Sequence, residues 1–200
     1  MIGIPDELNF GEERKIVVRW SENFGAEVMI SFIFNYRHEP AGETHEKAVL
    51  HKIRLWQAMM DSWVLGGTWS KQPENRSQFT LAIEDKKTQN IHAHVIYKRA
   101  VKQSGAQKSW ADTIGKAEQV WAKLVPSGSI DFKLFDQADC HEGEIFLRNY
   151  PFKRLDLKGW RDQDKILFSP DLRPAEQAFG GTIPAAVAGL AHIIHDSHRV

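Results

Sequence analysis

The stretch QFTLAIEDKKTQNIHAHVIY, residues 78–97, decides the fold. Gln78 to Glu84 is a β-branched and aromatic run of strand length, Asp85 to Asn90 is a polar turn, and Ile91 to Tyr97 is a second strand joined to the first as a hairpin. Side chains alternate across a strand, so His92 and His94 point to the same face. If Asp85 pairs with Ile91, Glu84 lies opposite His92 on that face, about 5 Å away between Cβ atoms. Two imidazoles and a carboxylate then converge. Such a mixed nitrogen and oxygen set suits manganese, magnesium or zinc in Lewis-acid work. On spacing alone, a plainer role carries equal weight: two histidines of a half-buried strand that hydrogen-bond to their neighbours.

Before the hairpin, Val28 to Tyr36 reads VMISFIFNY, another strand, which closes in the breaker-rich residues 37–42. Thr44 offers an N-cap, and Val49, Ile53, Trp56, Met60 and Trp63 recur at the alternating four-three spacing of one helical face until Gly66-Gly67 stops the helix. After the hairpin a helix is expected from a cap near Ser109, with Trp110, Ile114, Ala117, Trp121 and Leu124 on one face and Pro126 to Gly128 at its end. Ser129 to Phe135 alternates Ile130, Phe132 and Leu134 with polar neighbours, a half-buried strand. The order strand, helix, strand, strand, helix, strand predicts an α+β fold: one antiparallel sheet of split βαβ topology, with helices on one face and the other face left for a site.

The remaining segments are read more coarsely. Ile16 to Trp20 fits a short strand or the edge of one, residues 139–149 a short helix that Pro151 must end, and Pro184 to His195 a terminal helix. This gives a single domain over residues 1–200, with a core at about 28–153 and a C-terminal helical extension at 155–200, as 200 residues at 42% hydrophobic content permit.

Lys and Arg number 26, as do Asp and Glu, so the global field offers no attraction for a polyanion and a nucleic acid would have to be held by a local patch. Basic residues cluster at Lys98-Arg99 with Lys102 and Lys108, and at Lys153-Arg154 with Lys158 and Arg161. Trp56, Trp63, Trp110 and Trp121 fall on the helical stripes and read as core, whereas Trp69 and Trp160 lie in loops where they could stack on unpaired bases. The single cysteine, Cys140, excludes an internal disulfide and a thiolate zinc cage, which fits a reducing compartment. With no apolar run of membrane length and no export-leader pattern at the start, the cytoplasm is the expected location and no membrane is an expected partner.

Ala82-Ile83-Glu84, a polar turn and then His92-Ala93-His94 resemble the second motif of the HUH endonucleases, in particular the rolling-circle replication initiators. Met29-Ile30-Ser31-Phe32-Ile33-Phe34 is similar to their apolar first motif. The resemblance implies the same split βαβ sheet and a divalent metal held by His92, His94 and Glu84. It also implies that a tyrosine from a later helix nicks single-stranded or hairpin DNA through a 5′-phosphotyrosine link, with a host helicase as a further partner. That tyrosine would be Tyr150, with Lys153 as its charge partner, and Lys98, Arg99, Arg154, Trp69 and Trp160 would contact the nucleic acid. The third motif departs from the family pattern, because Pro151 puts Tyr150 at a helix end. Phe146 or Phe152 could occupy the tyrosine's place, leaving a domain that binds DNA without nicking it. Asn90-Ile91-His92-Ala93-His94-Val95-Ile96 also resembles the histidine-triad nucleotide hydrolases, with His92 as nucleophile, although Asn90 replaces their first histidine and the following proline is absent.

Overall fold

The computed structural model describes Glu22 and residues 25–35, 43–84, 90–103, 105–137, 141–152 and 166–168. The strands are β1 (Val28–Asn35), β2 (Gln78–Glu84), β3 (Asn90–Lys98), β4 (Ser129–Leu134) and β5 (Ile166–Phe168); the α-helices are α1 (Glu43–Leu65), α2 (Trp110–Leu124) and α3 (His141–Asn149). The sheet runs β4-β1-β3-β2-β5, and each neighbouring pair is antiparallel. The first four strands in this order are the expected split βαβ sheet: β3 inserts between β1 and β2, so the connections through α1 and α2 must cross over.

The alternation of β1 shows why the sheet has two different faces. Val28, Ile30, Phe32 and Phe34 are fully buried toward α1 and α2, while Met29, Ser31, Ile33 and Asn35 turn to the opposite side. Phe32 is the centre of the core, with its ring 5.0 Å from Trp56 in an edge contact and 4.6 Å from Trp121 in a tilted one. The Trp56 indole N–H donates to the Ala117 carbonyl at 3.3 Å, which ties α1 to α2. A polar cluster fixes the loop ahead of β2 on α1: the Ser77 amide donates to Asp61 Oδ1 at 3.0 Å, and the Gln57 side-chain amide donates to the Ser77 carbonyl at 2.9 Å. Burying these groups is tolerable because they hydrogen-bond to one another.

Local signals act as expected at several boundaries. The Ser109 hydroxyl caps α2 by accepting from the Asp112 amide, and Gly66 ends α1 with a φ of 82° that side-chain-bearing residues rarely adopt. Four details differ from the sequence expectation. α1 opens at Glu43, one residue before Thr44, so Thr44 is not its N-cap. α2 buries Thr113, Ala117, Val120 and Trp121, whereas Trp110, Ile114 and Leu124 are half-buried, a face rotated by about one residue toward the sheet. Part of the stretch expected as a helical extension is β5, in which Leu167 pairs with Leu81. The helices also do not all lie on one face, because Tyr150, at the end of α3, packs against His94 on the side away from Phe32. Residues 16–20, the turn at 85–89 and the expected terminal helix lie outside the described residues. No helix among the described residues is long and apolar enough to cross a membrane.

Candidate active site

The second face of the sheet is built in rows across the strands. Ser129, Ile33, His92 and Glu84 stand opposite one another in one row, and Asp131, Ser31, His94 and Ala82 in the next. The pairing of Glu84 with His92 is the register expected from the hairpin. A carboxylate contact also runs diagonally, with Glu84 Oε2 3.6 Å from His94 Nε2, an ion-pair distance rather than a hydrogen bond. Both side chains are nearly buried, at 8% and 7% exposure.

Ser31 is the member of this site that sequence reading missed. Its Oγ lies 2.9 Å from His94 Nδ1, a hydrogen bond between strands 63 positions apart in the chain. A hydroxyl both donates and accepts, so Ser31 holds the ring whichever nitrogen carries the proton, with the Nε2 edge kept toward Glu84. The signal was a small polar residue at an outward position of an otherwise apolar strand, in register with His94.

Tyr150 follows α3 in a short 3₁₀ turn, Tyr150–Phe152, that Pro151 accommodates because a first-turn proline needs no amide hydrogen. Its ring meets His94 edge-on with the centroids 4.9 Å apart, and Phe146, one turn earlier and 48% exposed, lies 5.9 Å from Tyr150. Arg148 anchors this helix. It is nearly buried, donates to the Ala26 carbonyl at 3.2 Å, pairs with Glu144 at 2.8 Å and lies 4.1 Å over the Phe135 ring. Together these contacts fix α3 across the end of β1 and hold Tyr150 above the histidine strand.

The other tyrosines are placed differently. Tyr97 faces the core, 5.6 Å from Trp56, where burial first and the Asp61 carboxylate second push its phenol far above the usual range. Its side chain belongs to the buried core, on the face away from His92 and His94. Tyr36, Lys153, Arg154 and Trp160 lie outside the described residues.

The expected nucleic-acid contacts are not gathered around the histidines. Lys98 shares their face but stands four residues beyond His94 and six beyond His92 along β3, roughly 13 and 20 Å at strand rise. Arg99 is held by Glu27 at 3.0 Å and stacks 4.5 Å from the Trp110 centroid, and Trp69 is half-buried beneath Arg76.

As to a metal, the donor types present, two imidazoles and a carboxylate on one face, suit a divalent cation, and the Ser31 contact to His94 is the kind of outer support that metal-binding imidazoles use. The His92 and His94 ring centroids stand 6.4 Å apart. Among the described residues no group of three or more His, Cys, Asp or Glu side chains converges closely enough to hold an ion in this arrangement. His92 is the least buried of the three candidates. Comparison of the chain with protein-family models, with curated proteins and with solved structures returned no match.

Proposed function

We propose that this protein is a metal-dependent, tyrosine-mediated single-stranded DNA nickase of the HUH type, acting in the cytoplasm to start rolling-circle replication or the transfer of a mobile element. The observation that carries the reading is the meeting of Tyr150 with His94, 4.9 Å apart, on the face where Glu84 stands opposite His92. These residues come from separate strands and the turn that follows α3, and they meet on the face opposite the main core.

In this reading the Tyr150 hydroxyl attacks a phosphorus of the DNA backbone. The bond from phosphorus to the 3′-oxygen breaks, the phenolic proton is lost and a proton is taken up by the departing 3′-oxygen, and the 5′-phosphate remains on the tyrosine. A bound manganese, magnesium or zinc ion, held by His92, His94 and Glu84, would supply charge stabilisation for the phosphoryl oxygens. The protein's own share is orientation: Arg148 fixes the helix that carries Tyr150 and Ser31 fixes His94, and Lys153 is the charge partner that the family resemblance assigns to Tyr150. Single-stranded or hairpin DNA is the substrate, with a host helicase to open the duplex.

The test is incubation with a pool of single-stranded and hairpin DNA plus manganese, read on a denaturing gel for a protein–DNA adduct. The adduct is expected from the native chain and from neither Tyr150→Phe nor His92→Ala. DNA bound without an adduct under all conditions would replace this reading with a binding domain of the same fold. Nucleotide hydrolysis that needs no divalent ion would replace it with the histidine-triad class.

A further inference from the structure

The end of the sheet remote from His92 gathers α1's last turn, the loop before β2, the exit of β3 and the start of α2. Three cations sit over tryptophan rings there: Lys108 over Trp63 at 5.2 Å, Arg99 over Trp110 at 4.5 Å and Arg76 over Trp69 at 5.7 Å. Such pairs occur roughly once per 70–80 residues, so three within residues 63–110 of one surface are a concentration.

They form one strip rather than three isolated contacts. Arg99 donates to the Lys108 carbonyl at 3.0 Å, which joins the first two pairs, and the Val101 amide donates to the Asn75 carbonyl at 2.9 Å, which joins the loop carrying Trp69 and Arg76 to the same chain. Lys71, Lys102 and Lys108 are exposed on this end, as is Val101 at 47%. Glu27 is engaged by Arg99, Asp112 by the Ser109 cap and Asp61 by the Ser77 amide, while Glu74, exposed in the loop between Lys71 and Arg76, accepts from the Asn75 side-chain amide at 3.1 Å. The whole chain carries no net charge, so attraction for a phosphate backbone would have to come from these local cations.

We propose that this tryptophan and lysine strip is a second, non-catalytic docking surface for single-stranded DNA. Lysines attract the phosphates, and half-buried indoles offer platforms for bases that only an unpaired strand exposes. The choice of DNA over RNA rests on the nicking reading above; the surface itself does not. Arg99 follows the end of β3, five residues beyond His94 and seven beyond His92, roughly 17 and 23 Å, so the strip holds a strand beside the nicking site without entering it.

The test measures binding of fluorescein-labelled oligo(dT) by anisotropy across a salt series, with labelled oligo(U) alongside, for the full chain and two variants. Lys102→Gln combined with Lys108→Gln should lower the slope of log affinity against log salt by up to about 1.4, at about 0.7 per lost phosphate contact. Trp69→Ala should weaken binding roughly fivefold or more. Unchanged circular dichroism and thermal midpoints show that the variants are folded. Native slope and affinity in both variants would overturn the proposal, as would failure of the native chain to bind oligo(dT) or a preference for oligo(U). DNA held through this strip with no covalent adduct would sink the nicking reading and leave the strip standing.

Discussion

Replacing Ser31 by alanine removes one hydroxyl, and its effect can be worked out from the contact it breaks. The hydrogen bond to His94 Nδ1 contributes about 0.5–1.5 kcal/mol net, and stranding a ring nitrogen of a histidine only 6% exposed raises the cost toward about 1–3 kcal/mol. Ser31 itself is half-buried rather than sealed, so about 1–2 kcal/mol is the expected loss. With a urea dependence of roughly 2 kcal/mol per molar, the unfolding midpoint should fall by about 0.5–1 M. Ser31→Thr keeps the hydroxyl and adds a branch suited to a strand, so its midpoint should stay near the native one. If His94 helps to bind a divalent ion, Ser31→Ala should also raise the manganese needed for half-maximal adduct formation by about 10- to 100-fold. A native midpoint together with a native manganese requirement would refute the orienting role of Ser31.

Three further outcomes follow from the fold. Phe32→Ala, which empties the contact between Trp56 and Trp121, should cost about 3–5 kcal/mol in urea unfolding. Gly128→Ala would place a Cβ 2.7 Å from Val125 Cγ1 and against the Ile33 carbonyl, so a loss of about 1–3 kcal/mol and a weakened β4 are expected by hydrogen exchange. For Tyr97 the folded-state pKa is raised above the unfolded value of about 10, so its stabilising contribution is complete below that pH. It is lost as pH rises, because the unfolded chain ionises first, by up to about 1.4 kcal/mol per pH unit. Urea midpoints from about pH 9 to 11 should therefore fall, and less steeply in Tyr97→Phe.

The hairpin was legible because its two strands carry a strict alternation and a short polar turn, which leaves few registers; the pairing of Glu84 with His92 followed from counting. Helix stripes marked Trp56 and Trp121 as core because burial repeats at helical spacing. What sequence could not give were the contacts made by folding distant segments together. Ser31 reads as an ordinary outward residue until His94 is brought beside it, and α3 reads as a short helix on no particular face until Arg148 finds Ala26 and Phe135. β5 escaped because three apolar residues are too few to show a period, and they become a strand only by pairing with β2. The diagonal lean of Glu84 toward His94 is likewise a choice of rotamer, which pairing register does not fix.

The most direct measurement of the central claim is mass spectrometry of the proteolysed adduct formed with single-stranded DNA and manganese, to locate the nucleotide-bearing residue. The account predicts a 5′-phosphate linkage on Tyr150, in the peptide that begins after Arg148. A linkage on His92, on Tyr97 or on any other residue would contradict it, as would DNA cleaved with no covalent intermediate.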